Sequence, residues 1–173
     1  MEIDFVPENF EGVWYEIAVY PNAMPHVERN KVISVKVVGT GRSETGLSIT
    51  ESDYQNGNVN NIFNSIEETG VNTSTNNARL YFIKSPLRDR NIDIRFTDFN
   101  NYAFIFEPQN TTLKVQHFRI YCRRPQITKE EYINLREFMK CFGVDPFRFI
   151  VFSAKLKVPS NAILQEPDNI YDF

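Results

Sequence analysis

Eight short apolar runs follow one another along the chain, and then the period of the pattern changes. The runs occupy residues 13–20, 31–38, 47–54, 59–66, 80–84, 92–97, 102–107 and 113–123. The second alternates plainly, with Val32, Ser34, Lys36 and Val38 set against Ile33, Val35 and Val37. A period of two gives a strand two unlike faces. Between the runs lie turn-forming stretches: Gly39, Gly41 and Gly46, then QNGN, the polar stretch ETGVNTSTNN, SPLRDRN, DFNN and PQNTT. Short strands at regular spacing predict an antiparallel sandwich or an up-and-down barrel. After Pro125 the pattern lengthens to helical spacing, with Tyr132, Leu135, Met139 and Phe142 on one stripe. Thr128 and Glu131 have the spacing of a capping box, and Gly143 is placed to stop the helix. The spacing therefore predicts a helix over 128–142, a short ninth strand over 147–153 and an irregular, proline-broken tail over 156–173. A sandwich of immunoglobulin type ends without such a helix. The order favours a closed barrel with the helix packed on its wall.

A chain of 173 residues fits one domain spanning 1–173. Its 15 Phe and 8 Tyr suit either a β-rich core or a cavity lined with rings. With a net charge of −3 and dispersed Lys and Arg, the chain has no basic stripe to neutralise phosphates, which argues against a nucleic-acid partner. No apolar run reaches the ~20 residues of a transmembrane helix. The start, MEIDFVPENF, lacks the basic and long apolar regions of a signal peptide, leaving open an intracellular chain or one whose leader has been removed. The cysteines, Cys122 and Cys141, form no CxxC or Cys/His zinc spacing, so no metal site is expected.

Three stretches resemble the lipocalin family. GVWYEIA at 12–18 is similar to the family's first-strand motif. TDFNNYAFIF at 97–106 resembles its Thr-Asp-Tyr…Tyr-Ala motif between the sixth and seventh strands, and CRRPQITKEEY at 122–132 resembles the motif that ends the eighth strand. They stand in the family's order and cover about residues 10–153, closest in character to the apolipoprotein D, insect bilin-binding and bacterial lipocalin branch. The resemblance implies an all-β fold: an eight-stranded antiparallel up-and-down β-barrel, or calyx, over 12–123, with one C-terminal α-helix and a short ninth strand. It implies that Trp14 and Arg123 close the barrel as a structural pair, the guanidinium lying across the indole.

Parity then sorts the wall. If Arg123 points inward, Tyr121, Arg119 and His117 share its face, while Phe118, Ile120 and Cys122 face outward beneath the helix. On the first strand Glu16, Ala18 and Tyr20 follow Trp14 inward. The family's parity puts Ile92, Ile94, Phe96, Ala103 and Ile105 inward as well. The expected ligand-binding wall is thus apolar with a few polar groups, as ligand pockets are. Arg119 has three open readings: it pairs with Glu16 inside the barrel, it joins His117 in holding a ligand carboxylate, or a bulge turns it outward. A helix of about 20 Å would carry Cys141 away from Cys122, so no bond between them is expected.

The resemblance implies a non-enzymatic, secreted carrier of a small hydrophobic ligand, monomeric or dimeric, that requires no cofactor. A fatty acid or other lipid, a bilin or a retinoid are all compatible occupants. Two other readings stay open: catalysis, and a barrel filled by its own aromatics that acts as a structural or protein-interaction module. Asp98, beside a tight turn, reads as a turn residue and not as a catalytic acid.

Overall fold

The runs form strands, and the strands close on themselves. The computed structural model describes residues 4–20, 31–39, 45–55, 58–72, 78–86, 89–107, 117–125, 127–141 and 151–152. A single helical turn, α1 (Pro7–Phe10), leads into β1 (Gly12–Tyr20). Then follow β2 (Lys31–Gly39), β3 (Thr45–Gln55), β4 (Asn58–Asn72), β5 (Leu80–Lys84), β6 (Arg90–Thr97), β7 (Tyr102–Glu107) and β8 (His117–Cys122). Each pairs antiparallel with the next, and β1 pairs with both β8 and β2, which makes a closed ring of eight strands. Pairing of β1 with β2 stops at Glu16, and β9 (Val151–Phe152) takes the vacated edge at Ala18 and Val19. The expected tail at 156–173, Phe142, Gly143 and the flanks of the ninth strand lie outside the described residues.

Alternation sorts the side chains into two layers. Inside the ring, Trp14, Ile33, Val35, Leu47, Ile49, Tyr81, Ile83, Ile92, Ile94, Ala103, Ile105 and Tyr121 pack with Phe5 and Phe10. Outside it, Ile17, Phe104, Phe106, Phe118, Ile120 and Cys122 are covered by Leu135 and Met139 of α2 (Lys129–Lys140). Thr128 caps that helix, accepting from the Glu131 N–H while the Glu131 carboxylate accepts from the Thr128 N–H. Both cysteines are free, Cys122 buried under the helix and Cys141 exposed at its end.

Two bulges correct the expected parity. Between Glu16 and Ala18 the register with β8 shifts by one residue, so Ala18 lies opposite Ile120 and packs in the outer layer. The same happens between Ile94 and Phe96, where Arg95 is the extra residue. Phe96 therefore leaves the interior and packs outside against Phe104 and Phe138, with centroids 5.7 and 4.9 Å away. The stretch ETGVN, read as part of a polar loop, instead continues β4 to Asn72. Gly70 sits there because a Cβ would come within 2.7 Å of Ile83 Cδ1.

The three motifs meet at the closed end. The Arg123 guanidinium lies 3.7 Å from the centre of the Trp14 ring. It also donates to the carbonyls of Phe99, Val13, Asn9 and Glu11 at 2.8–3.2 Å, tying the N-terminal segment to the β6–β7 turn. The indole N–H finds its acceptor locally, at the Phe10 carbonyl 2.9 Å away. Gly12 adopts φ +107°, and a Cβ on it would come within 3.0 Å of Arg123 Nη1. Asp98 holds the turn by accepting from the Asn101 and Tyr102 N–H groups. Tyr102 and Arg124 both donate to Glu131, so the cap of α2 is bound to the same end of the barrel.

Candidate functional site

Above the apolar floor the inner wall becomes charged. Arg119 of β8 and Arg90 of β6 point inward from the two strands that flank β7 and share a ring of four glutamates: Glu16 of β1, Glu51 of β3, Glu68 of β4 and Glu107 of β7. Arg90 lies 2.7 Å from Glu68, 3.0 Å from Glu107 and 3.4 Å from Glu51. Arg119 lies 3.5 Å from both Glu16 and Glu51 and 3.4 Å from Glu107. Lys31 of β2 reaches Glu51 at 3.5 Å. Glu16 and Glu68 are almost wholly buried, at 1 % and 2 % exposure. The network thus spans seven of the eight barrel strands and forms a layer across the interior.

Burial and mutual charge set the ionisation of this layer. Burial raises the Glu51 carboxyl, but Arg119, Lys31 and Arg90 outweigh it and leave the pKa below the ordinary carboxylate range. For Glu68 burial wins, reinforced by the charge on Glu51, and the pKa is raised despite Arg90. Burial opposes the charge on Arg119, yet Glu16, Tyr121, Glu107 and Glu51 together hold its pKa above the ordinary guanidinium value. Burial, with Glu51 beside it, also pushes the Tyr121 phenol upward, so it stays an O–H donor at neutral pH.

Beneath the layer lies a cavity of ≈ 10 Å³, about one water in size, bounded by Phe10, Ile33, Ile49, Ile92, Ile105, Tyr121, Arg90, Glu107 and Arg119. Of the residues expected to line a site, Glu16, Arg119 and Tyr121 come together in or beside the charged layer. Ile92, Ile94, Ala103 and Ile105 form the apolar wall under it, whereas Ala18 and Phe96 lie outside the barrel. His117 and Tyr20 stand in β8 and β1, but their side chains lie outside the described residues. Arg119 points inward and contacts Glu16, joined by Glu51 and Glu107.

Lys31, Glu51, Glu68, Arg90 and Glu107 escaped the sequence reading. Parity could have found Glu107, which follows Ala103 and Ile105 on one face, and Glu51, which follows Leu47 and Ile49. Glu68 was hidden because its polar neighbours read as a loop.

No family model matches the chain, and no curated protein matches it in sequence. Solved structures do match in shape. Lobster apocrustacyanin A1 is 15 % identical, with a TM-score of 0.63 over 85 % of this chain and 78 % of that one. Apocrustacyanin C2 is 15 % identical, with a TM-score of 0.62 over 86 % of this chain and 78 % of that one. The siderocalin Ex-FABP, described as functioning through dual ligand specificities, is 15 % identical, with a TM-score of 0.54 over 90 % of this chain and 99 % of its own. The likeness rests on the closed ring of eight antiparallel strands and the helix beside it, and the chain has the lipocalin fold.

Proposed function

We propose that this chain is a non-catalytic binder of a small, largely apolar molecule, held in the barrel against the charged layer. One observation carries the reading. The barrel is sealed at one end by an apolar floor, yet its inner wall holds a buried set of polar groups facing that floor. Apolar lining with a few fixed polar groups is the make-up of ligand sites. A barrel needing only stability has little use for such a layer, because buried ion pairs add less than well-packed apolar residues would. The apolar body of the ligand supplies affinity at roughly 25 cal/mol per Å² removed from water. The layer orients its polar end. Among the solved structures of like shape is a protein whose function is described in terms of ligand specificity, which fits this reading.

The ≈ 10 Å³ cavity favours a second reading, a barrel filled by its own side chains that serves as a structural or protein-interaction module. A cavity that admits benzene is about 150 Å³, so a ligand must move part of the layer or sit on its outer side. Titration with the neutral apolar dye N-phenyl-1-naphthylamine separates the two. A saturable rise in emission at one dye per chain supports binding. A linear, non-saturating response supports the filled barrel.

A further inference from the structure

We propose that the charged layer selects a ligand whose polar end carries a positive charge or hydrogen-bond donors, and discriminates against one that ends in a carboxylate; this rests on the small-molecule reading above. A pair of inward-pointing arginines would ordinarily suggest the opposite, since guanidinium groups bind carboxylates well. Here both are already engaged. Arg90 faces Glu68, Glu107 and Glu51, and Arg119 faces Glu16, Glu51 and Glu107. Among the described residues the layer holds four carboxylates against three cations, Lys31, Arg90 and Arg119.

A ligand carboxylate would have to displace one glutamate from its arginine and leave that glutamate buried without its partner. Such displacement is costly in a water-poor interior. An ammonium or a neutral N–H or O–H group meets the reverse situation. It adds a donor where acceptors are in excess. Glu68 Oε2 and Arg90 Nε are both buried with no hydrogen bond of good geometry among the described residues, although the two groups form an ion pair. The Glu68 carboxylate meets the arginine that bounds the cavity at 2.7 Å.

Three probes with one apolar body test this: decylammonium, decanol and decanoate, titrated calorimetrically below their micelle concentrations in about 0.15 M salt, where surface attraction is screened. Decylammonium is expected to bind one-to-one and at least about tenfold more tightly than decanoate, with decanol between them. Glu68→Gln removes the excess charge and is expected to shrink that ratio severalfold. Because the wild-type comparison needs no variant, a poorly folded mutant does not remove the test. Decanoate binding as tightly as decylammonium overturns the charge selection and leaves the small-molecule reading standing. An unchanged ratio in Glu68→Gln overturns the assignment to this layer. If none of the three probes saturates, the small-molecule reading fails and the selection fails with it.

Discussion

Arg123 is bound by four carbonyls and one aromatic face, and all three guanidinium nitrogens are engaged, Nη2 by two carbonyls. Lysine would keep the charge but not the planar fork that reaches several acceptors at once. Arg123→Lys is therefore expected to lose nearly as much stability as Arg123→Ala, the two urea midpoints falling close together and well below wild type. Recovery of most of the stability by lysine would mean that charge alone seals the floor. Trp14→Ala removes the largest fully buried side chain and should cost about 3–5 kcal/mol in the same measurement. Gly12→Ala places a Cβ against Arg123 at a φ of +107° and is expected to cost about 1–2 kcal/mol without touching the core.

At the scale of elements, the helix and the β6–β7 turn share one carboxylate. Glu131 caps α2 and also accepts from Tyr102 and Arg124. Burial raises its pKa, but the Arg124, Tyr102 and Thr128 donors overcome this and bring it from 4.5 down to about 2. A carboxylate depressed in the folded state stabilises above its unfolded pKa, and that stability is lost as pH falls through the folded value. Urea midpoints should thus decline between about pH 4.5 and pH 2, and Glu131→Gln should flatten part of that decline while lowering stability at pH 7. Thr128→Ala should cost about 1 kcal/mol through the lost cap.

The same scale shows what was legible in the chain and what was not. The cap was readable because its residues are local, and β5 and β7 because their apolar residues lie between clear turn signals. Parity from Arg123 carried Arg119 and Tyr121 to the inner face, and the family's parity carried Ile92, Ile94, Ala103 and Ile105, since no bulge intervenes along those stretches. It failed at Ala18 and Phe96 because an extra residue in one strand is a property of the pair, invisible in either strand alone. It failed again in β4, where the face turned toward the interior carries Glu68 and Gly70 in place of apolar residues. Alternation of apolar and polar residues reports a strand only while its inner face is apolar. A charged interior erases the signal along the face that carries it.

At the scale of the whole molecule, the charged layer joins distant strands through shared partners, so its residues should not behave independently. Arg119→Leu would leave Glu16, Glu51 and Glu107 each short of a cation and is expected to cost about 3–5 kcal/mol. Glu16 is 1 % exposed and faces that arginine, so its charge is the hardest for water to rescue. Adding Glu16→Leu to Arg119→Leu removes the buried carboxylate that faced the arginine and replaces it with apolar volume. The double variant should be more stable than Arg119→Leu alone, with a coupling energy of at least about 1 kcal/mol from the four urea midpoints of the cycle. Glu68→Gln should behave differently. A group whose pKa is raised in the folded state stabilises only below its unfolded value and loses that contribution as pH rises, so a neutral amide there should hold or increase stability at pH 7. Additive effects for Glu16 and Arg119, together with a large loss for Glu68→Gln, would show that the layer is a set of separate surface-like pairs and not one connected structure across the barrel.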